Sequence, residues 1–274
     1  MIWALVGLVC AAAVGLTIVL RAGSRGPVQL DPYPWLLDEV SKLHVMIVGS
    51  LAGFAFTGIV LVVTLAHDKS LIGEARFDTV IVMFLVAYLY WVGSAFLISY
   101  VPHTGPNGDL VQRVHFSLAS TIEYRTVFLS WFALLPLLQA NDLGRLVPVL
   151  SFLLPASLLI GSVLLAMAAD GLGLLRLKET YLSMGIATGL ALAYGALAWG
   201  LPGVRSPYSA ECLTLALFCL NAAGFALAAL TPMSPRYAGL QAFFERYGRQ
   251  IVVADMHLTM LSLAFLWLAV VGAV

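Results

Sequence analysis

Charge is scarce in this chain and evenly divided: 14 acidic residues stand against 14 lysines and arginines, so the net charge is zero. A chain without a basic field has nothing with which to follow a phosphate backbone, and no nucleic-acid partner is expected. Cysteine is scarcer still. Cys10, Cys212 and Cys219 all lie in apolar runs and form no CxxC pair, which excludes a disulfide framework and a thiolate metal site. The phosphate-binding loops GxxxxGK[ST] and GxGxxG and the nucleophile elbow GxSxG are missing, so neither nucleotide chemistry nor a hydrolase is indicated, and the chain reads as no enzyme. The N-terminus has no basic residue ahead of its first apolar run; Arg21 and Arg25 follow it, the reverse of a cleavable signal, so this run is expected to stay as a helix of the mature chain.

What the chain does have is apolar length. Hydrophobic residues make up 61% and charged ones 10%, against roughly 45–50% and 25% in a soluble domain. Such a composition cannot be hidden from water inside a globule. The run from Leu43 to Ala66 holds no charge between His44 and His67. At 1.5 Å per residue it extends about 35 Å, enough to cross a ~30 Å hydrocarbon layer. Apolar segments recur at about 2–20, 43–66, 79–101, 120–140, 146–169, 181–200, 210–231 and 251–274. The expected fold class is therefore all-α: a polytopic integral membrane bundle of about eight transmembrane helices in a single domain, residues 1–274.

Orientation follows from the basic residues. With the N-terminus outside, the cytoplasmic side holds Arg21, Arg25, Lys42, Arg113, Arg125, Arg176, Lys178, Arg236, Arg246 and Arg249, and the outer side only Lys69, Arg76, Arg145 and Arg205. That bias places both termini outside a plasma or inner membrane. The stretches Asp31–Lys42 and Arg236–Arg249 mix aromatic, apolar and charged residues and are read as short helices on the cytoplasmic leaflet. Glu123-x-Arg125, followed by Leu129-Ser130, matches Asp255-x-His257, followed by Leu261-Ser262, 132 residues on; Thr57-Gly58 and Thr188-Gly189 are 131 apart. A parallel four-plus-four duplication would divide the chain into halves 1–142 and 143–274.

Ionisable residues inside an apolar span cost about 2.5–3.5 kcal/mol on insertion and so single themselves out. Asp255, Thr259 and Ser262 share one face of the last segment at i, i+4 and i+7, whereas His257 points almost the opposite way. Each needs a partner on another helix, and Glu123, Tyr124 and Arg125 of the fourth segment lie at matching depth. Arg125 is expected near the interface, because only about fifteen uncharged residues separate it from Asn141. Asn221, midway along the seventh segment, must also meet another helix or water, and Tyr88 with Trp91 sits deep enough in the third to line a pocket. Pro136, Pro148 and Pro155 would break the fourth and fifth helices. Gly49, Gly53 and Thr57 fall on one face of the second segment in the small-xxx-small spacing that lets helices approach closely, which marks it as a packing hub.

Three functions fit these features. The favoured one is a channel or secondary transporter for an ion or small solute, using Asp255, His257, Thr259, Glu123, Arg125, Asn221 and Tyr88, without a cofactor and able to form homo-oligomers. The second is a haem or transition-metal protein ligated by His44, His103, His115 and His257, although no HxxxH or HExxH spacing occurs. The third is a non-catalytic membrane subunit that works through partner helices. In all three the lipid bilayer is the first partner.

Overall fold

The computed structural model describes residues 37–67, 74–103, 109–140, 144–174 and 210–273. Among them there are only helices and turns. Six long helices are named here in chain order: α1 (Leu37–His67), α2 (Glu74–Ser99), α3 (Leu110–Ala140), α4 (Val147–Gly171), α5 (Ala210–Leu230) and α6 (Ala238–Ala273), with short 3-10 turns at Val101–His103, Gly144–Leu146 and Thr231–Arg236. A helix satisfies its backbone groups internally, which a lipid-facing segment requires. Four stretches, Glu39–Thr64, Asp78–Ser99, Cys212–Arg236 and Ala238–Trp267, are long and apolar enough to cross a membrane. The first and sixth segments of the sequence, with Thr188, lie outside the described residues.

Of the two long helices outside that set, α3 lies at the centre. α3 carries Gln112, Arg113, Glu123 and Arg125 along its 31 residues and touches each of the other five long helices. From Val111 to Ala119 every residue is buried. Its neighbours turn their apolar side chains outward instead, with Phe54, Leu61, Leu89, Phe96, Leu153, Ile160 and Leu215 about half exposed or more. The polar helix is sheathed by the apolar ones, the arrangement expected of a bundle in lipid.

Contacts at one end set the directions of the helices. His115, early in α3, faces the carbonyl of Leu97 near the end of α2 at 2.7 Å and that of Ala228 near the end of α5 at 2.9 Å. Arg113 Nη1 donates to the carbonyl of Leu172, just past α4, at 2.7 Å. That turn is closed by Gly173 at φ 68°, a left-handed position where glycine is free of Cβ strain, with Leu174 N–H bonded to Ala169 O. A Cβ on Gly248 of α6 would lie 2.7 Å from Val114 of α3. So α2, α4 and α5 end where α3 and α6 begin, and α1 begins there too, since His44 stacks on Phe116 at 5.4 Å.

Three sequence expectations change. α3 starts at residue 110 rather than 120, because Asp109 caps it: Gln112 N–H donates to Asp109 Oδ1 at 2.6 Å. Residues 37–42 and 238–249 are not separate surface helices but the opening turns of α1 and α6. Pro148 breaks nothing, since it sits in the first turn of α4, where its missing N–H is not needed. The 36 residues of α6 reach about 54 Å, well beyond the hydrocarbon thickness, and its first turns carry the exposed Phe243 and Tyr247.

Candidate functional site

Starting α3 ten residues earlier moves Arg125 to its midpoint, with about 22 Å of helix on either side. The guanidinium is fully buried and meets two other helices. On the α6 side Nη1 donates to Asp255 Oδ1 at 2.6 Å and to Thr259 Oγ1 at 2.8 Å. On the α5 side Nε donates to Asn221 Oδ1. Gly224, one turn beyond Asn221, presents no side chain to the guanidinium; a Cβ there would lie 3.1 Å from Nη2. The Thr259 hydroxyl also donates to the Asp255 carbonyl at 2.6 Å, which holds its oxygen toward Arg125.

The ion pair uses one arm of each fork. Arg125 Nη2 and Asp255 Oδ2 are buried and have no hydrogen-bond partner among the described residues. A bidentate pair would have joined them. Charges taken out of water are held only where attraction and hydrogen bonds repay the desolvation, so these two atoms are the chemically open positions of a buried charge pair.

The remaining site candidates lie elsewhere. Glu123, two residues from Arg125, points toward α1, where His44 Nδ1 donates to its Oε2 at 3.2 Å. Tyr124 donates to Leu158 O on α4 at 3.1 Å, its ring lying over Gly161. Tyr88 is half buried against Phe56 of α1, and the tyrosine of α2 that reaches α5 is Tyr90, which donates to Phe218 O at 2.9 Å. His257 turns away from the ion pair; its Nδ1 donates to Val253 O at 2.8 Å, and its buried Nε2 has no partner among the described residues. Gly49, Gly53 and Thr57 lie on the exposed side of α1, with nothing within 4 Å of a Cβ built on either glycine. The buried line of α1 is Val48, Ala52, Ala55 and Val62, and the helix through which the bundle is joined is α3.

The histidines are dispersed. His44 is with Glu123, His103 is exposed beside Tyr100, and His257 bonds its own helix. His115 is wedged between Leu97 O, Ala228 O and the Thr231 hydroxyl, so either ring nitrogen would have to give up a protein contact to ligate a metal. Among the described residues no three histidine, cysteine or carboxylate side chains come together as a metal site.

Sequence reasoning singled out Arg125, Asp255, Thr259 and Asn221, and the structure brings these four into contact. It missed Gly224 and Thr231. Only Gly224 carried a legible signal, being three residues from Asn221 and so on the same helical face. No protein-family model, curated protein or solved structure matches this chain, so its function has to be argued from the chemistry of this cluster.

Proposed function

We propose that this chain is an integral membrane transporter for an ion or small solute, with Arg125, Asp255, Asn221 and Thr259 as its central binding site. The observation that carries this reading is the pair of buried, unfilled hydrogen-bonding positions, Arg125 Nη2 and Asp255 Oδ2, midway along the central helix. A static tie between helices would be stronger with both arms closed. A carrier needs a site that is polar, shielded from lipid and incomplete until its cargo arrives.

The wider architecture proposed here is eight crossings in one domain. α4 ends at the end of the bundle where α3 begins, and α5 starts at the opposite end, so the chain between them has the bundle's length to cover. That supports the sixth apolar segment as a crossing. The shared end carries Lys42, Arg113, Arg236, Arg246 and Arg249, against Arg76 and Arg145 at the other, which supports a cytoplasmic assignment and outer termini in a plasma or inner membrane. The parallel directions of α3 and α6 agree with a four-plus-four duplication.

The test is flux through purified protein in liposomes, across a panel of inorganic ions and small organic solutes. Arg125→Gln is expected to abolish the flux of whatever the wild type carries, and Asp255→Asn to alter it, while the protein still elutes as a folded species. Unchanged flux in both variants would refute the site. A second reading, a membrane subunit working through partner helices, is supported by the Gly49, Gly53 and Thr57 face of α1, which no described residue covers; crosslinking of Gly53→Cys in native membranes checks it.

A further inference from the structure

We infer that the cargo is a small monovalent anion carried together with one proton, an inference that rests on the transport reading above and narrows it. Charge balance in a buried site decides between cargoes. Arg125 and Asp255 are both buried, and together they sum to zero. The other groups around the guanidinium, Asn221 and Thr259, are neutral, and Tyr90, which lies within its electrostatic reach, adds no formal charge. Glu123 is turned toward His44, and His257 faces away along α6. A cation entering this site would leave one uncompensated positive charge beside a guanidinium that cannot lose its proton. An anion entering alone would leave one negative charge. An anion with a proton on Asp255 leaves none.

The donor geometry points the same way. The unfilled position on Arg125 is an N–H donor, Nη2, and Nη1 becomes a donor to a new acceptor once the Asp255 carboxylate lets go. Gly224 keeps the α5 approach to Nη2 free, since a methyl there would sit 3.1 Å from it. The unfilled position on Asp255 is Oδ2, an acceptor, which takes the proton. The loaded state is thus an anion hydrogen-bonded to Arg125 with a neutral carboxylic acid beside it. On the far side the anion leaves, the proton leaves Oδ2, and the carboxylate closes again on Nη1. One carboxylate balances one charge, which limits the cargo to a monoanion, and Ile122, 3.5 Å from the place a Gly224 Cβ would take, limits it to a small one.

The test uses the full chain in liposomes with a pH-sensitive dye inside and either a chloride or a nitrate gradient; both are anions of strong acids, which leave almost no neutral acid to cross lipid unaided. An inward gradient of one of the two should acidify the lumen with one proton per anion. The rate should be unchanged whether the membrane potential is clamped at zero with valinomycin and potassium or made inside-negative. Asp255→Asn should move the anion without the proton and make the rate sensitive to potential. Wild-type anion flux without acidification, or flux that follows the potential, overturns the inference. Flux of sodium or potassium with neither anion moving overturns it but leaves the transport reading standing, whereas no flux of any ion or solute removes both. The wild-type proton-to-anion ratio decides the matter even if the variant fails to fold.

Discussion

The Arg125–Asp255 pair makes a quantitative prediction about folding. Replace each side chain by an apolar one of similar volume, Arg125→Met and Asp255→Leu, singly and together, and measure reversible unfolding in mixed micelles by far-UV circular dichroism. Either single change strands a charge in a site where the side chains are 0% and 8% exposed. Removing one partner of such a pair costs about 3–5 kcal/mol. A Coulomb term at an effective dielectric of 20 and ~4 Å between charge centres gives about 4 kcal/mol, in the same range. Asp255→Leu should fall at the lower end, because the guanidinium keeps Asn221 and Thr259. The double variant strands no charge. Its penalty is the Asn221 amide left without its donor, about 1–3 kcal/mol. The cycle should therefore show a coupling of about 3 kcal/mol or more, roughly a hundredfold in the unfolding equilibrium. If the two single effects add to within about 0.5 kcal/mol, the residues do not compensate one another and the charge-balance reasoning fails with them.

Other predictions follow from the same contacts. Gly161→Ala should destabilise by about 1–3 kcal/mol, because its methyl overlaps the Tyr124 ring, and adding Tyr124→Leu should recover most of that; no recovery in the same unfolding assay would place the strain elsewhere. His115→Leu strips contacts joining α2, α3 and α5 and should lower stability by about 2 kcal/mol or more, whereas His257→Leu, which removes a buried nitrogen without a described partner, should change it by less than about 1 kcal/mol; a reversed order would refute the assignment of His115 as the interhelical tie. Asp109→Ala should cost about 1 kcal/mol as a lost cap and Asp109→Asn far less. Burial pushes the Asp109 carboxyl above its usual range, against the opposing Gln112 and Val111 N–H bonds, so its titration should erode wild-type stability as pH rises from the unfolded value through the raised folded one; a pH dependence of the opposite sign, relative to Asp109→Asn, would refute this.

Composition and run length were enough to read an all-helical chain with membrane-crossing helices, because lipid leaves the backbone few other options. The boundaries were less legible where polar residues interrupt the apolar run. Gln112, Arg113 and His115 hid the first turns of α3 from a hydropathy reading, although Asp109 and Gln112 stand at the spacing of a helix-opening capping box. With that start, Arg125 would have been read at the middle of its helix. The four residues of the cluster were legible one by one, since each is unwelcome in hydrocarbon. Their meeting was not, since it depends on α3, α5 and α6 sharing one contact line. Gly49 and Gly53 show the converse: spacing made them a packing face, and no described side chain fills it. A small-residue stripe says that a close approach is permitted, and nothing about where the neighbour is.

The distance along the chain between the two buried charges has a consequence for biogenesis. A ribosome delivers Arg125 to the bilayer 130 residues before Asp255, so for almost half of synthesis the guanidinium is without its counter-ion. α3 cannot settle among lipids as an independent unit in that interval; the insertion machinery or a chaperone has to shelter it until α5 brings Asn221 and α6 completes the set. Nascent chains stopped short of residue 255 should stay bound to that machinery or be degraded, and release into the membrane should come only once the last helix has emerged.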